Sequence, residues 1–167
     1  AAALAQAIST NSLPLPSRQA MVEARRFDLY AGVMPDMTAV EAYFGETQSA
    51  LMQLACVILD PAVATRTAEA AGLAGVAFGL ARMLAVSRHP ERWVPTGKSR
   101  ADLIIHAQTR LLEARQAISR LPVSVLPAFL PVATAGLYLD AAKAGRGSVP
   151  QWRRQWRIWR AARRELI

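Results

Sequence analysis

Residues of the types that perform nucleophilic or acid–base chemistry are few and scattered along the sequence. The single cysteine, Cys56, lies in the apolar stretch Leu54–Leu59, and because apolar surroundings raise the pKa of a thiol, we predict a buried small residue rather than a nucleophile. His89 precedes a proline in a predicted loop and is expected to be solvated. His106 lies within a predicted helix, where a half-buried histidine with a polar partner is favoured over a catalytic base.

The carboxylates do not form a metal-binding pattern. Mg²⁺ is usually held by one or two carboxylates together with substrate phosphates, but no two aspartates in the sequence stand four residues apart. Glu41 and Glu46 are five residues apart and diverge on a helix, so we predict that both are solvated surface residues. One cysteine and two histidines argue against a structural zinc site. The sequence also contains no GxxxxGK[ST] or GxGxxG phosphate-binding loop.

These residues must be positioned by helices. The chain has 167 residues, about the length of one domain, and it is 53% hydrophobic and 19% charged, which excludes intrinsic disorder. Alanine, leucine and arginine are common, and no strand-like alternation persists, so we predict an all-α fold of about seven helices in one domain over residues 1–167. Of the net charge of +8, residues 150–167 contribute six arginines against one glutamate.

Capping residues, glycines and prolines set the predicted helix boundaries. The predicted helices run to about Thr10, from Ser17 to Tyr30, from Thr38 to Leu59, from Asp60 to Ala85, from Ser99 to Arg120, within the uncharged run 121–139, and over 149–167. Ser17 is a plausible N-cap, Thr38 and Glu41 have capping-box spacing, and Asp60-Pro61 is typical of an N-cap followed by proline at the first helical position. Ser99 and Asp102 predict another cap.

Two apolar patterns predict close helix packing. Small residues lie three or four apart on one helix face and would let another backbone approach; they are Ala68, Gly72, Gly75 and Gly79. The run 121–139 approaches the length that spans a bilayer, but Pro122, Pro127 and Pro131 interrupt it. A buried core helix is therefore favoured over membrane contact.

The C-terminal helix is basic and rich in tryptophan. Trp152, Trp156 and Trp159 recur at i, i+4 and i+7 and share a face, whereas arginines including Arg153, Arg157 and Arg160 occupy the rest. A basic amphipathic helix with tryptophan on one side suits an anionic membrane surface or a protein partner. Alternatively, the tryptophans could cover an apolar groove of the same domain, with the arginines solvated. No helix-turn-helix or RRM signature supports nucleic-acid binding.

Several stretches together resemble the squalene/phytoene synthase family. They are Ala24–Tyr30, Met34–Met37, Glu41–Thr47, Gly72–Leu80, Arg92–Pro95, Leu126–Pro131 and Gln155–Arg160. The order and spacing of these stretches are most similar to the proteobacterial branch that also resembles a mitochondrial assembly factor of respiratory complex I. The resemblance implies an isoprenoid-synthase-type helical bundle of which this chain is the C-terminal three fifths.

Active members of that family join two prenyl diphosphates head to head, with Mg²⁺ held by two Asp-rich helical motifs. The first motif would lie upstream of residue 1. The second would end the helix that carries Gly75 and Gly79, but Val86 and Pro90 stand where its two aspartates are expected. The resemblance therefore implies a family member with weak or no catalysis and no assigned catalytic or metal-binding residue. The alternative is a non-catalytic lipid-binding protein or a respiratory-complex assembly factor on the same fold.

The resemblance also implies a binding site and partners. The substrate-binding residues would be Tyr43, Gly75, Gly79, Arg82 and Arg92, with arginines supplying positive charge in place of a metal bridge. Mg²⁺ is the cofactor expected for the family and is doubtful for this chain. The expected partners are a prenyl diphosphate or another isoprenoid lipid, an anionic membrane surface and a protein, but not nucleic acid. The expected location is cytoplasmic, peripheral on the inner membrane.

Overall fold

A computed structural model of the chain describes residues 6, 8–11, 13–30 and 32–164. Within them lie seven α-helices: α1 (Leu15–Ala24), α2 (Met37–Phe44), α3 (Ala50–Leu59), α4 (Ala68–Val86), α5 (Arg100–Ile118), α6 (Ala135–Lys143) and α7 (Gln151–Arg164). They are joined by a π-helical turn (Gly45–Ser49) and by 3₁₀ segments (Arg25–Leu29, Ala64–Thr67, Pro90–Trp93 and Val123–Thr134). The described ranges contain no strand, so the predicted all-α fold class is confirmed. The predicted helix up to Thr10 falls mostly outside these ranges.

Helix α4 lies at the centre of the hydrophobic core. Small side chains cover most of it, so α5, α6 and the π-helical turn can all pack closely around it. Helix α5 contributes the predicted apolar stripe, and each of its members is buried: Leu103, Ala107, Leu111, Ala114 and Ile118. The same core cluster includes Phe129 from the 3₁₀ segment Val123–Thr134 and Tyr138 from α6.

Two of the four small residues on α4 allow the predicted close approach. A Cβ added to Gly75 would come closer than 3.0 Å to the backbone and hydroxyl of Ser49, and one added to Gly79 would come equally close to the Phe44 ring. A Cβ added to Gly72 would have nothing within 4 Å; this glycine contributes its carbonyl oxygen, which accepts a 2.9 Å hydrogen bond from the Ser49 hydroxyl. Ala68 is exposed, so its inclusion in the packing face was wrong.

The predicted continuous helix from Thr38 to Leu59 is interrupted by the π-helical turn Gly45–Ser49. The Thr47 hydroxyl donates a 2.7 Å hydrogen bond to the carbonyl oxygen of Tyr43, so this buried carbonyl has a partner at the widened turn. Since a π-turn inserts an extra residue into the helix, it changes which side chains face α4. In this structure Phe44 and Ser49 both do.

Three predicted helix starts are wrong. Helix α1 begins at Leu15 rather than Ser17, because Pro16 fits in the first turn, where a missing N–H is not needed. Helix α2 is capped by Asp36, whose carboxylate accepts a 2.8 Å hydrogen bond from the Ala39 amide, rather than by a Thr38–Glu41 box. Asp60 ends α3 instead of starting the next helix, and α4 begins only at Ala68.

Other boundaries agree more closely with the predictions. The Ser99–Asp102 capping box is confirmed: the Asp102 carboxylate accepts a 2.8 Å hydrogen bond from the Ser99 amide, and the Ser99 hydroxyl accepts one of 3.2 Å from the Asp102 amide. The second predicted helix ends at Ala24 and continues as 3₁₀ turns to Leu29 rather than as α-helix to Tyr30. The C-terminal helix begins at Gln151 rather than Val149, and residues 165–167 are outside the described ranges.

Two stretches are long and apolar enough to cross a membrane by length and composition, Ala64–Val86 and Val123–Lys143. In the structure 67% and 56% of their most apolar windows are buried. The second contains most of the uncharged run 121–139, where Val125, Phe129 and Val132 are fully buried. Because Pro127 and Pro131 cannot donate a backbone hydrogen bond, the run begins as a 3₁₀ segment and becomes α-helical only at Ala135.

Candidate functional site

A cavity of about 190 Å³ lies where the 3₁₀ segment Arg25–Leu29, helix α2 and the C-terminal half of α4 meet. Its lining residues are Arg25, Asp28, Tyr43, Phe44, Gln48, Gly79, Arg82, Met83, Val86, Ser87 and Trp93. The cavity therefore brings together three of the five residues predicted to bind substrate: Tyr43, Gly79 and Arg82. Gly75 lies one turn earlier on α4, against Ser49.

Aromatic rings form the apolar side of the cavity. The buried Trp93 ring stacks on Phe44 at a centroid distance of 5.5 Å and meets Tyr43 edge-on at 4.7 Å. Phe27 packs edge-on against Trp93 at 5.4 Å. Gly79 leaves the space that Phe44 occupies, so the glycine on α4 and the aromatic side chains determine the shape of this wall together.

A hydrogen-bonded set of polar groups also lines the cavity. The Tyr43 hydroxyl donates to the Asp28 carboxylate, with distances of 2.9 and 3.1 Å to its two oxygens. Arg25 donates to the Tyr43 hydroxyl at 3.1 Å and to Asp28 at 3.2 Å. Burial and the hydrogen bond to Asp28 raise the pKa of Tyr43 to about 12, against the opposing effect of Arg25. Tyr43 is therefore a protonated hydrogen-bond donor at neutral pH.

Arg25 and Asp28 are not among the predicted site residues. They lie three residues apart in the 3₁₀ segment Arg25–Leu29, so their side chains come to the same side of the turn. Both belong to the stretch Ala24–Tyr30 that carries part of the family resemblance, which is the signal that could have identified them.

Arg82 is an uncommitted cation at the edge of the cavity. Its side chain is exposed, and within the described ranges of the chain it makes no hydrogen bond or ion pair. One helical turn later, Val86 lines the cavity and remains 41% exposed. The position at which the resemblance predicts an aspartate therefore faces the cavity with an apolar side chain, and its correspondence to the family's motif stays a prediction.

Arg92 does not line the cavity and instead holds a neighbouring segment. Its guanidinium donates to the carbonyl oxygens of Phe27 and Gly32 at 3.2 Å each, and also to that of Tyr30. It lies over the Phe27 ring at 5.2 Å. These contacts attach the segment that carries Arg25 and Asp28 to the Pro90–Trp93 turn, so Arg92 positions part of the cavity wall.

The sequence of this site belongs to a recognised family. A family model described as squalene/phytoene synthase matches residues 1–92 of the chain. The chain belongs to the squalene/phytoene synthase family. The match covers every residue that lines the cavity except Trp93, and it ends before α5, so the predicted resemblance of the stretches 126–131 and 155–160 stays a prediction. No curated protein and no solved structure matches the chain.

The squalene/phytoene synthase family acts on prenyl diphosphates and normally uses Mg²⁺. The residues around this cavity do not fit that ion. Among the lining residues, Asp28 supplies the one carboxylate, and it is already bonded to Tyr43 and Arg25. Within the described ranges, no group of three His, Cys, Asp or Glu side chains could hold a metal. Two guanidinium groups, from Arg25 and Arg82, supply the positive charge instead.

A second polar cluster connects α2 to α5, and its residues do not line the cavity. The Glu41 carboxylate accepts a 2.7 Å hydrogen bond from Arg110 and lies 2.7 Å from Nε2 of His106, while Arg110 also donates to Glu113 at 2.9 Å. Glu41 is therefore not the solvated residue that its spacing predicted. Burial alone would raise the pKa of Glu41, but hydrogen bonds from Arg110 and His106 outweigh it, so the pKa lies below its usual value.

The structure also decides the remaining predictions for histidine and cysteine. The half-buried position and polar partner predicted for His106 are confirmed. His89 is exposed as predicted and lies 3.2 Å from Glu91. Cys56 is fully buried, and burial raises the pKa of its thiol, so the predicted burial is confirmed.

Helix α7 presents its tryptophans to solvent. Trp152, Trp156 and Trp159 are 68%, 49% and 55% exposed. The opposite face packs on the 3₁₀ segment Val123–Thr134. Within the described residues of this squalene/phytoene synthase family member, the tryptophans therefore do not cover a groove of their own domain, and that alternative is wrong.

Proposed function

We propose that the chain binds the diphosphate head group of a prenyl diphosphate, or a chemically similar isoprenoid anion, without catalysing its Mg²⁺-dependent condensation. The observation that carries this proposal is the uncommitted guanidinium of Arg82 at the edge of a cavity that already contains Arg25, Tyr43 and a wall of aromatic rings. Anion recognition needs positive charge and hydrogen-bond donors that are not already used.

The charges and donors suit a phosphate group. Arginine presents a rigid fork of N–H donors that matches phosphate oxygens. Within the described ranges, the N–H groups of Arg82 make no hydrogen bond. Arg25 is held in place by its hydrogen bonds to Asp28 and Tyr43. Because Asp28 already pairs with Arg25, the charged groups among the described lining residues leave a net charge of +1 for a bound anion to neutralise.

The volume of the cavity limits what it can hold. At about 190 Å³ it is smaller than the roughly 300–1,000 Å³ typical of sites for drug-sized ligands. It therefore suits a head group, and the apolar prenyl chain must extend beyond it. Phe44, Met83 and Val86 line the cavity and would contact the first carbons of that chain.

The residues at the C-terminal end of α4 and just beyond it explain why binding of a prenyl diphosphate would not lead to its condensation. Breaking the bond between the prenyl carbon and the diphosphate requires groups that stabilise charge more strongly in the transition state than in the ground state. In the family, Mg²⁺ supplies this effect. Val86 cannot ligate a metal, and Pro90 can neither ligate one nor extend the helix. Loss of a single such electrostatic contribution commonly reduces the rate by about 10²–10³.

A non-catalytic role would use the same cavity. A lipid-binding protein or a respiratory-complex assembly factor on the same fold would keep the site for the isoprenoid and would not need a metal clamp. Both roles accord with a peripheral location at the inner membrane, where long-chain isoprenoids reside.

The test is binding of inorganic pyrophosphate and of farnesyl diphosphate, measured by calorimetry in the presence of EDTA. Both ligands should bind, and pyrophosphate should compete with farnesyl diphosphate, because they share the head group. Arg82→Gln should weaken both by roughly tenfold or more, since a hydrogen bond to a charged group is worth about 1.5–3 kcal/mol.

Arg88→Gln is the matched control, because Arg88 is also exposed, its substitution removes the same charge, and it does not line the cavity. It should leave binding nearly unchanged. Equal weakening by the two substitutions, or binding that requires Mg²⁺, would contradict the proposal.

A further inference from the structure

Helix α7 is attached to the body by two arginines that face inward. Arg154 donates to the Tyr138 hydroxyl at 3.3 Å, and Arg157 donates to the carbonyl oxygen of Ala133 at 3.3 Å. Ala161 is buried on the same face. These contacts fix the rotation of the helix about its axis, so its tryptophan face points outward.

On the outward face, cations lie directly beside the exposed rings. The guanidinium of Arg153 lies 6.0 Å from the centre of the Trp152 ring. Those of Arg160 and Arg163 lie 5.2 Å from Trp156 and 5.0 Å from Trp159, respectively. Each large apolar ring is thus paired with a positive charge along the whole length of the helix.

The described residues of α7 carry positive charge with no acidic side chain among them. Residues 151–164 contain six arginines and no aspartate or glutamate. Arg115 of α5 adds another cation beneath the helix, where burial and the nearby Arg157 lower its pKa. A partner that covers this face must therefore accept apolar rings and supply negative charge at the same depth.

Among the described residues, tryptophans and arginines line a recess on this face. Trp156, Trp159, Arg160, Arg163 and Arg164 surround a volume of about 450 Å³. Guanidinium groups at the rim of a recess with indole walls can bind a phosphate while the indoles contact glycerol and upper acyl carbons. This is the arrangement by which basic amphipathic helices lie in the interface of a bilayer.

From these observations we infer that the outward face of α7 docks on an anionic lipid surface, with Trp152, Trp156 and Trp159 in the interfacial layer and Arg153, Arg160 and Arg163 on lipid phosphates. Tryptophan is enriched at membrane–water interfaces because its ring is amphipathic. The inference does not depend on the head-group cavity, which is formed by other helices. Binding of either ligand class can therefore fail without affecting the other.

The experiment is co-sedimentation of the full chain with vesicles of phosphatidylcholine alone and of an equimolar mixture with phosphatidylglycerol. Binding should be strong for the anionic mixture, weak for phosphatidylcholine, and should fall as salt is added. Trp93 is buried, so three of the four tryptophans are at the proposed surface, and their emission should shift to shorter wavelength on binding.

Two pairs of variants separate charge from ring insertion. Arg160→Gln with Arg163→Gln should weaken binding to the anionic vesicles by about thirtyfold, because each basic residue near an anionic leaflet contributes about fivefold to partitioning. The control pair, Arg88→Gln with Lys98→Gln, removes the same charge from exposed positions outside α7 and should change binding by less than about threefold. Trp156→Ser with Trp159→Ser should abolish the spectral shift and most of the binding.

A matched control for the rings is Val22→Ser with Leu29→Ser, which removes exposed apolar side chains elsewhere and should leave binding unchanged. The substituted side chains are exposed, except that of Arg160, which is half-buried. Equal melting temperatures should show that each variant is folded. Equal binding to both vesicle types, equal losses in the control pairs, or no binding would overturn the inference. Tighter binding to a DNA duplex than to anionic vesicles, insensitive to the tryptophan pair, would instead identify a nucleic-acid surface and overturn it too.

Discussion

Substitution of Gly75 by alanine tests the contact that holds α4 against the π-helical turn. The added Cβ would come closer than 3.0 Å to the amide nitrogen, Cα and hydroxyl of Ser49. Two of these three atoms are backbone, so the clash cannot be relieved by rotating a side chain. The turn that carries Ser49 would have to move away from α4.

The size of the effect follows from three contributions. Overpacking a core contact costs about 1–3 kcal/mol, and a backbone obstacle places Gly75→Ala toward the upper end. Moving Ser49 also weakens its 2.9 Å hydrogen bond to the Gly72 carbonyl, which is worth about 1 kcal/mol. Alanine regains about 1 kcal/mol over glycine in a helix interior. The net loss in free energy of unfolding should therefore be about 2–3 kcal/mol, and Gly75→Leu should lose more.

Thermal and urea unfolding followed by circular dichroism would measure this loss. For a chain of this size, about 1 kcal/mol corresponds to a change of roughly 2–4 °C in Tm. Gly72→Ala is the matched control, since it makes the same substitution in the same helix with nothing within 4 Å of the new atom, and it should be neutral or stabilising. A Gly75→Ala protein as stable as the Gly72→Ala protein would refute the close approach.

Three further substitutions have expected outcomes. Glu41→Gln should lower the free energy of unfolding at pH 7 by about 1–2 kcal/mol, measured by urea titration. Because the pKa of Glu41 is lowered in the folded state, the difference in stability from the parent should shrink as the pH falls below about 4.5. A difference that stays constant with pH would count against the ion-pair cluster. Tyr43→Phe should remove a loss of stability that the parent shows between about pH 10 and 12. The pKa of Tyr43 in the folded state, about 12, lies above its usual value of about 10, so the unfolded state releases its proton first as the pH rises. Parallel curves of stability against pH for the two proteins would refute this assignment. Arg92→Gln should destabilise the protein by about 2 kcal/mol or more, because its hydrogen bonds to backbone carbonyl oxygens are lost. Arg82→Gln should instead leave Tm unchanged and weaken pyrophosphate binding. Weaker pyrophosphate binding by Arg92→Gln and a lower Tm of Arg82→Gln would show that Arg92 is the binding residue.

Local signals in the sequence predict several elements well. The Ser99–Asp102 box fixes the start of α5 because both partners are within three residues of each other. The spacing of Gly75 and Gly79 predicts close packing because only glycine leaves room for a neighbouring backbone or ring. The family stretches contain every residue that lines the cavity except Gln48, Arg82, Met83, Val86 and Ser87, although only Tyr43, Gly79 and Arg82 are predicted as site residues.

Features that depend on tertiary contacts are not predictable from the sequence. The π-helical turn at Gly45–Ser49 has no distinctive composition, and it is recognised only from the packing of Ser49 on α4. Glu41 is predicted to be solvated because its partners, His106 and Arg110, are far away in sequence. Arg92 is predicted to bind substrate through its positive charge. The sequence alone does not show that its guanidinium already donates hydrogen bonds to backbone carbonyl oxygens.

The orientation of α7 is also undetermined from sequence. Its amphipathic pattern allows the tryptophans to face either the body or the solvent. Arg154 and Arg157 fix the orientation, because they donate hydrogen bonds to the Tyr138 hydroxyl and the Ala133 carbonyl oxygen. The tryptophan rings, on the other face of the helix, are therefore exposed.

The most direct test of the proposed function is the fate of farnesyl diphosphate, in excess over the protein, after incubation in the presence of Mg²⁺. Extraction and chromatography would separate intact farnesyl diphosphate from condensed products with thirty carbon atoms, whose formation from two farnesyl groups needs no added reductant at the condensation step. Farnesyl diphosphate should bind and be recovered intact, because the residues described around the cavity include two arginines and one carboxylate, Asp28, but no carboxylate pair for the metal. Conversion to a condensed product at a rate near about 1 s⁻¹, within the common range for enzymes, would contradict it.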